Sequence, residues 1–103
     1  MPPSETKVAV QRTARALEQA INSGDKTGVA ASVSPEFAER DNELQPMLES
    51  STAAELLGTV GTRTLLRLEG GDEPGSVVEL LWRDFDNTWL IFDCRVFTLV
   101  PGI

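Results

Sequence analysis

Asp93 and Arg95 stand two residues apart in a run, Thr88 to Val100, that also holds Trp89, Ile91 and Phe92. Residues two apart on a strand share a face, so a carboxylate and a guanidinium would project together beside large apolar side chains. If that face lines a pocket, Trp82 and Trp89 desolvate Asp93 and raise its pKa, which suits a general base. Arg95 would then hold a substrate carboxylate or an enolate oxygen. Trp82 and Trp89 offer flat apolar surfaces for a ligand, and Asp84, next to a turn, would be a polar group at the pocket mouth. The same residues have plainer readings. Asp93 and Arg95 can form a structural ion pair, Asp84 can stabilise its turn, and both tryptophans can be core.

Other chemistries are narrowed by what the chain lacks. It has no histidine and no tyrosine, so Ser-His and Cys-His nucleophile pairs are excluded, and acid-base work falls to Asp, Glu or Lys. The lone cysteine, Cys94, forms no intramolecular disulfide and has no cationic neighbour on its own face to lower its pKa, which reads as an inert buried thiol in a reducing compartment. No carboxylate spacing matches a metal-binding loop, and no cofactor is implied. The net charge is −7. Without a basic stripe, a nucleic-acid partner and an anionic membrane surface are both disfavoured. Acidity is densest from Glu36 to Glu55, either a solvated face or a surface for a basic partner. No leader pattern opens the chain and no apolar run reaches membrane-spanning length. A cytoplasmic location is expected.

The elements that would position these residues follow from periodicity and caps. The length of 103 residues suits one domain, 1–103. Ser4 and Glu5 open a helix that runs to Ser23, with Val10, Ala14, Leu17 and Ile21 as its apolar stripe and Gly24 as its stop. Asp25 caps a second, shorter helix from about Lys26 to Val33, ended by Ser34-Pro35. Phe37 follows as an apolar anchor, and Leu44, Met47 and Leu48 suggest a short helical or irregular segment. Thr52 and Glu55 form a capping box for a third helix that Gly58 stops. Thereafter the pattern changes to strands: Thr62 to Glu69, Ser76 to Phe85 and Thr88 to Val100, joined by Gly70 to Gly75 and by Asp86-Asn87, an antiparallel meander.

The register of the last hairpin has two readings. A two-residue turn at Asp86-Asn87 sets Phe85 against Thr88, Trp82 against Ile91 and Leu80 against Asp93. A three-residue loop sets Leu80 against Phe92 and Val78 against Cys94, a wholly apolar face, but opposes Glu79 to Asp93. Turn chemistry favours the first. In both, large apolar residues occupy both faces of the sheet. One face covers the helices, and the other calls for a partner, most simply a second copy of the chain.

The succession Ile21-Asn22-Ser23-Gly24-Asp25, a short helix, then Ser34-Pro35-Glu36-Phe37 resembles the opening of the nuclear transport factor two-like superfamily. Asp86-Asn87-Thr88-Trp89-Leu90-Ile91-Phe92-Asp93 resembles its penultimate turn and last strand. The resemblance implies an α+β domain, with N-terminal helices packed on a curved, cone-shaped antiparallel sheet around an apolar pocket, and dimers through the outer sheet face. It also brings in isomerases, cyclases and dehydratases, whose pockets typically carry Asp, His or Tyr, as well as members without chemistry. The expected function is a non-catalytic domain binding a small apolar ligand or a protein, with Trp82, Asp84, Trp89 and Arg95 as binding residues and a homodimer through the sheet. The alternatives are a ketosteroid-isomerase-like enzyme with Asp93 as base, and an acidic domain that binds a basic partner.

Overall fold

The computed structural model describes residues 3–41, 43–70 and 76–97. The first helix, α1, covers Pro3–Ser23, starting slightly before the Ser4 cap expected from the sequence. It ends as anticipated. Gly24 adopts φ of 74°, and the amides of Gly24 and Asp25 donate back to the carbonyls of Ile21 and Ala20. This paired return closes the last turn, and it needs a residue that tolerates a left-handed backbone. Asp25 then caps α2, Lys26–Ala31, accepting from the Gly28 amide.

Ser34-Pro35 ends one helix and begins the next. The Ser34 hydroxyl accepts from the Phe37 amide, Pro35 fills the first turn, and α3 runs Pro35–Arg40. Proline suits this place because the amide it lacks would have no partner inside the helix. The same logic admits Pro46 in the first turn of α4, Leu44–Ser50.

The expected third helix at Thr52 to Leu57 is instead a strand, β1, Ala53–Val60. Tertiary pairing overrides the capping box. Thr52 donates to the Glu69 carbonyl, Glu55 meets Arg67 across the sheet, and Asn22 of α1 both donates to and accepts from the Ala54 backbone. Strands β2 (Arg63–Glu69), β3 (Ser76–Phe85) and β4 (Thr88–Phe97) follow in the expected order. The sheet is an antiparallel meander, β1-β2-β3-β4. Gly70 turns at φ of 75°, where a side chain would run into Thr52. The expected turn over Gly71 to Gly75 and the expected strand end past Phe97 lie outside the described residues.

Two bulges bend the sheet. One falls in β1 between Leu56 and Gly58. The other falls in the last hairpin, which starts with the two-residue turn: Asp86 and Asn87 have φ of 57° and 71°, and Trp82 faces Ile91. The next pair is Leu81 with Asp93, so Phe92 is extra, and Leu80 faces Cys94 rather than Asp93. An inserted residue sharpens the local twist and bends the strand. The result is an open, curved four-stranded sheet.

Its concave face packs on α1. Val10, Ala14, Leu17 and Ile21, the anticipated stripe, are buried with Leu66, Leu68, Val78, Leu80, Trp82 and Ile91. Val29, Phe37, Leu44 and Leu48 bring the short helices into the same core. Both sheet edges are partly closed. On β1, Asn22 holds Ala54 and Glu18 accepts from the Leu56 amide. On β4, Val33 makes a parallel bridge to Ile91, and Arg40 donates to the Phe92 carbonyl. Covering edge backbone groups in this way blunts uncontrolled strand pairing. Among the described residues, no helix is long and apolar enough to cross a membrane.

Candidate functional site

The Phe92 bulge sorts the candidate residues onto opposite faces. Before it, Trp82 and Ile91 point inward and both are buried. After it, the inward positions go to Cys94 and Val96, and Asp93 and Arg95 are exposed on the convex side. Asp93 and Arg95 do share a face, as their spacing implied, but Trp82 lies on the other. Asp93 pairs with Leu81, and its carboxylate accepts from the Cys94 amide. The pocket arrangement that would make it a general base beside Trp82 is not formed.

Trp82 is a core residue with its polar atom satisfied. Its indole Nε1 donates to the Thr64 hydroxyl at 2.9 Å, and both side chains are buried. Trp89, half-buried, packs at the edge of the same core, opposite the exposed Asp84 next to the turn. Clefts formed by described residues lie elsewhere. One of about 310 Å³ is lined by Glu5, Val8, Ala9 and Arg12 of α1. Another of about 380 Å³ runs between α1 and α2, past Ala16, Gln19, Ser23 and Gly28. Neither includes Trp82, Asp84, Trp89, Asp93 or Arg95.

Cys94 is half-buried at the inner rim, and its thiol lies 3.7 Å from an Asp41 carboxylate oxygen. Burial, and then the negative charges of Asp41, Asp93 and Glu43, push the thiol up to about 12. Among the described residues, no group of three or more His, Cys, Asp or Glu side chains could hold a metal ion. The acidic stretch from Glu36 to Glu55 does not share one surface. Glu36, Glu39 and Glu43 are exposed on the helical layer, whereas Glu55 pairs with Arg67 on the convex sheet face.

That convex face has the most distinctive chemistry. Register and burial place Arg63, Leu65, Arg67 and Glu69 of β2 on it, with Val77, Glu79, Leu81 and Arg83 of β3. Strand β1 adds Glu55, Leu57 and Val60, and β4 adds Leu90, Phe92, Asp93, Arg95 and Phe97. The Arg83 guanidinium lies 4.8 Å from the centre of the Phe92 ring, an attractive cation–π contact. Leu57, Val60, Leu65 and Phe97 are exposed large apolar side chains. The cations here are all arginine, and the strands contain no lysine. Four arginines (63, 67, 83, 95) are interleaved with four carboxylates (Glu55, Glu69, Glu79, Asp93), so the face is neutral in a chain of charge −7. Arginine and aromatics enriched over lysine is the composition of protein interfaces. Of these residues, sequence reasoning had singled out only Asp93 and Arg95, for a pocket. Alternation along β2 and β3 was the signal that could have found the others.

Comparison with protein-family models, with curated proteins and with solved structures finds no match.

Proposed function

We propose that this chain is a non-catalytic interaction domain that pairs with a second copy through the convex face of its sheet. The observation that carries the reading is the charge balance of that face. Two chains of net charge −7 repel one another through their acidic helical layers, but the convex faces present equal numbers of both signs among exposed apolar side chains. Charge complementarity of this kind selects where two surfaces meet.

The fold, a long helix on a curved antiparallel sheet, is compatible with the nuclear transport factor two-like arrangement, in which the outer face is free to pair. A protein partner is favoured over a small apolar ligand because the candidate pocket residues do not converge. Trp82 already spends its indole N–H on Thr64, and Asp93 and Arg95 face outward.

Sedimentation at micromolar concentration tests the reading. The expected species has twice the chain mass of 11.2 kDa. Phe97→Glu, at an exposed position on the hairpin part of the face, is expected to give a folded monomer. A wild-type chain that stays monomeric up to hundreds of micromolar would refute the proposal.

A further inference from the structure

Within the convex face, the β3–β4 hairpin has a pattern that specifies how two copies would meet. Its outward cross-strand neighbours are Val77 with Phe97, Glu79 with Arg95, Leu81 with Asp93 beside Phe92, and Arg83 with Leu90. The first pair is apolar. The second is of opposite charge. In the third, Leu81 stands opposite the Asp93 carboxylate, and at the fourth Arg83 lies over Phe92. Glu79 and Arg95 stand directly opposite each other, yet among the described residues neither takes part in an ion pair. Both charges are therefore available to a partner.

Resting on the homodimer reading above, we infer that the dimer's two-fold axis runs between β3 and β4, parallel to the hairpin. Such an axis exchanges the two strands, so each outward residue is laid over the partner copy's version of its own cross-strand neighbour. Glu79 then meets the second copy's Arg95, and Arg95 its Glu79. Val77 meets Phe97, and Arg83 comes over the second copy's Leu90 and Phe92. The Val77–Phe97 and Glu79–Arg95 pairs, complementary within one chain, become complementary between two, as a self-complementary two-fold contact requires, while Leu81 is laid over the second copy's Asp93. The Glu79–Arg95 row lies near the middle of the hairpin, where the crossing angle between twisted sheets displaces opposed residues least.

Charge reversal with mixing tests the axis. The E79R chain presents two guanidiniums in this row and the R95E chain two carboxylates. Each alone is expected to dimerise about ten- to a hundredfold more weakly than wild type, because like charges are juxtaposed across the axis. In an equimolar mixture every opposition becomes attractive. A heterodimer resolved by native mass spectrometry is expected, with affinity within a few-fold of wild type. Each reversal also places like charges side by side inside its own chain, which mixing cannot relieve, so recovery on mixing separates the interface from mere destabilisation. The neutral variants E79Q and R95Q, expected to weaken dimerisation about three- to tenfold, keep the test readable should a reversal impair folding. A wild-type dimer whose reversed or neutral variants associate normally, or whose reversed variants fail to recover on mixing, overturns the axis and leaves the dimer standing. A monomeric wild type overturns both.

Discussion

The two faces of this sheet are built from alternate residues of the same strands, but they handle polarity in opposite ways. On the concave face Thr64 and Trp82 are both buried, and each supplies what the other needs: an indole N–H and a hydroxyl oxygen. On the convex face, ionised groups stay exposed or half-buried, and among the described residues Glu79, Arg63 and Arg95 take part in no ion pair. Internal satisfaction marks structure, and unspent charge beside exposed apolar surface marks a place for contact. By that standard the tryptophans, the most conspicuous side chains in the sequence, belong to the core, and the arginines belong to the face proposed to bind a second copy.

The sharpest way to break this comparison is to truncate both faces. Trp82→Ala removes the largest fully buried side chain and is expected to cost about 3–5 kcal/mol. Leu65→Ala, at a position 38% exposed, should cost under about 1 kcal/mol in the monomer. Urea unfolding, at concentrations where the chains do not associate, reads both. Equal costs would mean that the convex face is as much core as the concave one.

Next in size is the polar contact itself. Thr64→Val keeps the shape and leaves the Trp82 indole N–H buried without an acceptor, at an expected cost of about 1–3 kcal/mol. Trp82→Phe in the Thr64→Val background removes the orphaned donor but leaves a cavity, so the double mutant should cost less than the two single substitutions summed. A double mutant no better than the sum of its parts would show that the hydrogen bond carries none of the effect.

The edge of β1 comes third. Asn22→Ala deletes two hydrogen bonds to the Ala54 backbone, with an expected loss of about 1–2 kcal/mol. Amide exchange should speed at Ala54 more than at Leu68, its partner toward the sheet interior. Uniform acceleration across β1 and β2 would mean that Asn22 acts through global stability and not by closing the edge.

This contact also explains where the sequence was legible and where it was not. Local chemistry announced the Gly24 stop, the Asp25 cap, the Asp86-Asn87 turn and strands β2, β3 and β4, because each depends on residues within a few positions. The Ser34-Pro35 start of α3 was equally local and passed unread as a stop alone. Strand β1 was misread as a helix because Thr52 and Glu55 mimic a capping box, whereas what decides the matter is Asn22 and Glu18 on one side and Arg67 on the other. The Phe92 bulge is a compromise between distant demands. A uniform two-residue register would have put Asp93 inside against Leu80, and a three-residue loop would have opposed Glu79 to Asp93. One extra residue keeps the turn, sends Asp93 and Arg95 outward and faces Glu79 with Arg95. Neither strand taken alone carries that information, so the pocket built from Trp82, Asp93 and Arg95 could be dismantled only by seeing the pairing.

The smallest expected effect sits where the two faces meet chemically, at Cys94. The bulge turns its thiol inward, toward Asp41, and burial with the surrounding carboxylates pushes it up to about 12. An unfolded thiol titrates near 8.5. Between those values the unfolded chain releases a proton that the folded chain keeps, so this group's contribution to stability falls as pH rises from about 8.5 toward 12 and is constant below that window. The side chain is only half-buried, so the slope is shallow, and it is best read as the difference between wild type and Cys94→Ala. At pH 8 the folded thiol should react with iodoacetamide more slowly than the urea-unfolded chain, because less of it is thiolate. Asp41→Asn removes the nearest negative charge and should speed that reaction, with Asp93→Asn, on the convex face, having a weaker effect. If the two substitutions accelerated it equally, the thiol would be feeling both faces alike, and the separation drawn between them at this position would fail.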